Sequence, residues 1–299
     1  MADKKKFYYG GQAVIEGVMI RGRRSMVTAV RRPGGEIGVD VKPLSSIYTG
    51  RLRRLPLVRG VIVLIEAMVL GVKSLVYSAN VAVEEETEEI SGGAIFGMLA
   101  VSAVLVVALF FLAPLFLTRL LGDYIPNSVV FNVIEGVIRL IIFIAYLRIM
   151  RFLPDIRRVF TYHGAEHKTV NAWEAGVPME VDAVRSYSTA HVRCGTSFLF
   201  TVLIIAIVVF SLVGRPALWL MVTSRVVLIP VIAAIGYEIT YFSARHTGNW
   251  FVKILLAPGL LMQSLTTGQP DDRQMEVAIA AMNKAVEVDQ QAEAAPASP

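Results

Sequence analysis

The sequence predicts an all-α integral membrane protein with about four transmembrane helices, further interfacial or re-entrant helices, and a small N-terminal β-hairpin element on the cytoplasmic side. Two observations carry that expectation. Of 299 residues, 55% are hydrophobic and 18% charged, against roughly 25% charged in an ordinary soluble domain. The apolar residues also fall in long runs, and about 20 in succession span a bilayer. Placement of the lysines and arginines then sets the orientation.

Residues 1–56 form a basic segment containing Lys4, Lys5, Lys6, Arg21, Arg23, Arg24, Arg31, Arg32, Lys42, Arg51, Arg53 and Arg54. Charges interrupt this segment too often for a secretory leader. Met26 to Arg32 and Glu36 to Lys42 alternate apolar and polar residues around Pro33-Gly34-Gly35, a β-hairpin pattern. Gly10 to Met19, bounded by glycines, reads as a further strand or tight loop. No aromatic stacking pattern accompanies the basic charge, so nucleic acid is not an expected partner. Anionic lipid headgroups are, with a protein partner or a second copy of the chain as further candidates.

Residues 57–90 comprise an apolar stretch carrying Arg59, Glu66 and Lys73, then an acidic linker. Residues 91–150 form a first transmembrane hairpin, with Glu135 and Arg139 four apart and able to pair. Residues 151–195 are a basic loop. Residues 196–246 form a second hairpin, interrupted by Arg225 and Pro230. Residues 247–289 hold an interfacial piece broken at Pro258-Gly259 and an amphipathic helix bearing Met275, Ile279, Met282 and Val286. Residues 290–299, rich in Ala, Pro and Gln, are expected to be a disordered tail.

Four spans put the N-terminus, the 151–195 loop and the C-terminus in the cytoplasm. If 57–79 also crossed, the six basic residues of that loop would lie outside, against the positive-inside rule. The expected location is therefore a multi-pass cell membrane protein, with 57–79 lying at the interface or re-entering.

The chemistry gathers in Thr161-Tyr162-His163-Gly164-Ala165-Glu166-His167-Lys168. On a helix advancing about 100° per residue, Glu166 lies roughly −60° and His167 roughly +40° from His163, so the three share a face. His-x-x-Glu-His is the inverted zinc-hydrolase pattern, two imidazole ligands with a glutamate base. A catalytic ion takes a third protein ligand, and His191, Cys194 and Glu238 fall on the same membrane side in this topology. His191 or Glu238 is the expected third ligand and Cys194 a soft alternative. His163, His167, His191 and Cys194 together would instead close the shell of a structural ion. Glu174 lies about 10 Å along the helix from His167, too far to share its ion. The bland alternative makes the histidines interfacial side chains and Cys194 a packing residue at a helix start. Cys194 is the only cysteine, so no intrachain disulfide forms.

Gly11 to Met19, Pro56 to Gly60, His163 to Lys168, His191 to Gly195, and the junction from Leu265 to Asp272 together resemble the YqhQ family of bacterial membrane proteins. That resemblance covers roughly residues 10 to 288. It implies a domain of unknown function labelled a predicted metal-dependent enzyme, a label that rests on the same histidine pattern. The leading expectation is a hydrolase using a divalent metal, zinc foremost, with Glu166 as general base. The alternatives are a cation transporter lined by the intramembrane charges and a non-catalytic scaffold that holds lipid or a partner on its basic surface.

Overall fold

The computed structural model describes residues 7–82, 91–246 and 248–294. Four strands, β1 (Gly10–Val14), β2 (Gly17–Arg21), β3 (Ser25–Arg31) and β4 (Ile37–Pro43), form one antiparallel meander in that order. The expected hairpin is its second half, with Met26 opposite Lys42. Its first half turns on Ile15-Glu16, between the paired Val14 and Gly17, with Glu16 at φ 53°. A charged residue in the left-handed region is uncommon, which hid this turn from pattern reading.

A short helix α1 (Ser46–Thr49) and a 3₁₀ turn lead into α2 (Val58–Ala82). Next come α3 (Gly92–Val107), a π-helical turn at Ala108–Leu112, and α4 (Ala113–Leu120), which form one apolar rod of 29 residues. α5 (Ser128–Met150) follows. α6 (Pro154–Ala175) begins with proline at its first position, where no intrahelical N–H is needed, and ends at Gly176 in the left-handed conformation. The remaining helices are α7 (Val181–Arg185), α8 (Gly195–Val213), α9 (Leu218–Val227), α10 (Ile229–Arg245), α11 (Trp250–Gln263) and α12 (Asp272–Ala294).

Four of these helical stretches are long and apolar enough to cross a membrane: α2, the α3–α4 rod, α5 and α8. The pair α9–α10, bent by 43° at its break, passes the same test jointly. That break sits next to Pro230, which cannot donate to the helix. The protein is thus a membrane protein with a small N-terminal sheet.

Inside the bundle, Glu135 and Arg139 pair at 2.6 Å as their spacing predicts. Arg225 joins them, with its Nη2 2.6 Å from Glu135 Oε2 and 3.1 Å from Asn132 Oδ1. Arg139 Nε donates to the Phe110 carbonyl, which lies within the π turn. Glu66 pairs with Arg21 and Arg53.

Segments far apart in sequence build one domain beside the long apolar helices. Val18, Ile20, Val27 and Ala29 of the sheet share a core with Tyr162, Ala165 and Val170 of α6, Val184 of α7, and Met275, Ala278 and Met282 of α12. The opposite sheet face, Met19 and Met26, packs on Leu70 of α2. The middle strands are therefore covered on both faces, and the polar Ser25 and Thr28 of β3 are buried along with their apolar neighbours. α12 also extends through Ala294, beyond the expected boundary at 289. Asp289 accepts hydrogen bonds from Tyr9 Oη and the Arg23 amide, and Glu293 pairs with Arg23, so the sheet holds this end of the helix. Residues 295–299 of the expected tail lie outside the described residues.

Candidate metal centre

The site lies where this domain meets the long apolar helices. α6 supplies His163, Glu166 and His167; Cys194 caps α8; the stretch after α11 closes over them. α6 can approach that stretch because residue 164 is glycine. A Cβ there would overlap the Gly268 carbonyl oxygen and lie 3.1 Å from its carbon and 3.3 Å from Thr189 Cγ2.

His163 Nδ1 lies 2.9 Å from the Thr266 carbonyl oxygen, and His167 Nδ1 lies 2.6 Å from that of Thr189. A carbonyl only accepts, so each Nδ1 carries a ring proton, and in the neutral ring the lone pair is then on Nε2. Cys194 Sγ accepts from the Thr196 amide at 3.4 Å and lies 3.4 Å from His163 Nε2. The three donor atoms fall within 4.8 Å of one another, with His167 and Cys194 buried and His163 half-buried.

These donors fit a zinc-type ion. Backbone carbonyls that fix the imidazole tautomer are the usual outer support of metal-bound histidine. Two imidazoles and a thiolate suit zinc. Bonds of about 2.0–2.3 Å in a tetrahedron put neighbouring ligand atoms about 3.4–3.6 Å apart, the spacing seen between Cys194 Sγ and His163 Nε2.

Glu166 is buried, and its Oε2 lies 3.5 Å from His167 Nε2. Its side chain tucks beneath β1 at Gly11. Lys168 locks the supporting loop, donating from Nζ to the carbonyls of Arg185 and Tyr187 at 2.7 Å each. Burial lowers the Lys168 pKa.

The other expected ligands lie differently. The His191 ring sits 5.7 Å from that of His167, and its Nε2 faces Glu174 Oε2 at 3.7 Å. The backbone of His191 is clamped by the Gln263 amide, which accepts from its N–H at 2.9 Å and donates to its carbonyl at 2.8 Å. Glu238 is turned to Arg59 and the Leu57 amide. The third donor beside the two histidines is therefore Cys194, the soft alternative. Sequence reasoning missed Gln263 and the carbonyls of Thr189 and Thr266. A glutamine in a helix with Lys253 as its one other polar side chain is a readable signal; a carbonyl has no sequence signature. A cavity of about 370 Å³ lies elsewhere, lined by Glu16, Arg31, Arg158 and Asp271 among others and by neither histidine.

The family profile described as "Protein of unknown function (DUF1385)" matches residues 55–288. The uncharacterized protein YqhQ of Bacillus subtilis (strain 168) is 37% identical over 292 residues, covering 92% of this chain and 91% of its own length. No solved structure matches. With most of its length matched by that profile and by YqhQ, the chain belongs to the DUF1385 family of proteins of unknown function.

Proposed function

We propose that the protein is a metal-dependent, zinc-type hydrolase working at the cytoplasmic face of the cell membrane. The observation that carries this reading is the paired tautomer control: two backbone carbonyls turn two imidazole lone pairs towards one thiol. His163, His167 and Cys194 would hold the ion. An ion held there lowers the pKa of a water to about 7 and polarises a carbonyl.

With three protein donors, such an ion would remain open to water. Glu166, beside His167 Nε2, is placed to accept the proton and return it to the leaving group. Burial of Glu166 and His167 keeps bulk water from the carboxylate. Cys194 begins an apolar span, so the substrate class we infer is a lipid-linked or membrane-proximal ester or amide. The cytoplasmic assignment follows from the basic residues of the N-terminal segment and the 151–195 loop.

The test is paired. Glu166→Gln should keep about one metal per chain and abolish hydrolysis of an acyl-ester lipid panel, whereas His163→Ala/His167→Ala should lose both. Full activity in Glu166→Gln would remove its assigned role. The charges Glu135, Arg139 and Arg225 bond to one another, to Asn132 and to Phe110. That closed network fits a fixed strut better than a cation path.

A further inference from the structure

We infer that α2, although long and apolar enough to span a membrane, lies along the bilayer surface as a plate between the lipid and the β-sheet.

The first argument is parity. The sheet, α6–α7 and α12 share one core, so the segments before α2, after α5 and after α11 all lie on one side of the membrane. From the sheet to α6 the chain passes through α2, the α3–α4 rod and α5. If all three crossed, α6 would emerge on the far side from the sheet it packs against. The rod and α5 are 29 and 23 residues long and highly apolar. Crossing by these two alone returns the chain to its starting side. From α7 to α12, α8 and the bent α9–α10 pair make the second round trip, so α11 does not cross either.

The second argument is what α2 touches. Along one face, Glu66 bonds Arg21, Leu70 packs on Met19 and Met26, Ser74 meets Thr28 Oγ1 at 3.2 Å, and Ser78 accepts from the Ile15 amide. A crossing α2 would carry these strands, with Arg21 and Thr28, into hydrocarbon, where polar groups are costly.

The third argument is the opposite face. Val58, Ile65, Met68 and Leu75 are exposed, and at about 100° per residue they fall on one arc of roughly 100°. Patches of this kind on a domain surface mark an interaction site. Its occupant is lipid, by continuity with the spans. Gly60, near the start of α2, packs against Ala234 and Tyr237 of α10, so one end of the stripe begins at a helix of the bundle.

The experiment uses the full chain in phosphatidylglycerol–phosphatidylcholine vesicles. Single cysteines at Val58 and Met68, both on the stripe, carry an environment-sensitive fluorophore, and lipids brominated at shallow or deep acyl positions quench it. The parent chain, whose Cys194 is buried, sets the labelling background. Ten residues of helix cover about 15 Å. Both labels should report the same shallow depth. As a crossing control, Phe96 and Val106 on α3 are exposed and equally far apart, and their labels should differ in depth by up to about 15 Å. A similar depth difference between 58 and 68 would overturn the inference, and so would no lipid quenching at either, which would put the stripe in water or under protein.

Discussion

Replacing Gly164 by alanine tests the site through backbone packing alone, without touching a donor atom. The added Cβ overlaps the Gly268 carbonyl oxygen and reaches to 3.1 Å from its carbon and 3.3 Å from Thr189 Cγ2. The Gly268 contact is with backbone, and the Thr189 contact is with the methyl of a stiff β-branched side chain. Gly268 is two residues from Thr266, whose carbonyl holds His163, and Thr189 itself holds His167. Relief of the backbone overlap therefore shifts the Gly268 stretch, and with it the Thr266 carbonyl, away from α6. Overpacking of this kind costs about 1–3 kcal/mol. Loss of outer-shell support weakens metal binding by about 10–100-fold. The assay is zinc affinity by chelator competition, beside thermal unfolding, on detergent-purified protein. Gly195→Ala is the control, because a Cβ there meets nothing within 4 Å although Cys194 is its neighbour. Wild-type stability and zinc affinity in Gly164→Ala, or equal losses in both variants, would refute the reasoning.

Other consequences can be measured on the same preparation. Glu135→Gln leaves Arg139 and Arg225 buried with their shared counter-charge gone, at a cost of about 3–5 kcal/mol; a sharply lower melting temperature in detergent checks this, and an unchanged one contradicts it. Asp289→Ala removes the acceptor that Tyr9 and the Arg23 amide share. It should cost about 1–3 kcal/mol and make α12 an early site of limited proteolysis. For Glu174, burial pushes the pKa up, but contacts with His191 and Arg193 outweigh it and leave the carboxyl below its usual range. A depressed acid contributes stability above its unfolded pKa and loses it as pH falls through the lowered folded value. The stability gap between wild type and Glu174→Gln should thus be complete at neutral pH and shrink as pH falls below about 4.5; a gap that widens in acid would reverse the assigned sign.

How much could be read in advance depended on the kind of signal. Length and apolarity located the rod, α5 and α8, because lipid demands uninterrupted hydrophobic runs. The i, i+3 and i, i+4 spacing put His163, Glu166 and His167 on one face of α6, since helical geometry alone decides it. The third donor was less legible. His191 and Cys194 are three residues apart and precede the same span, and the choice between them was made by Gln263 clamping the His191 backbone and by Cys194 capping α8. Glu238 was lost because Arg59, distant in sequence, claims it. The four-stranded sheet was half read, since its first turn rests on Glu16 in an unusual backbone conformation. That the sheet, α6 and α12 form one domain could not be read from local pattern, because nothing local records contacts between residues 18, 165 and 278.

X-ray absorption at the zinc edge, on protein purified from zinc-supplied cells, tests the central claim most directly. The account predicts about one zinc per chain with a single sulfur at about 2.3 Å and nitrogen or oxygen neighbours at about 2.0–2.2 Å. The sulfur shell should vanish in Cys194→Ser, and the metal in His163→Ala/His167→Ala. A chain that takes up no metal after reconstitution, or holds zinc with no sulfur neighbour, would contradict the centre assigned to His163, His167 and Cys194.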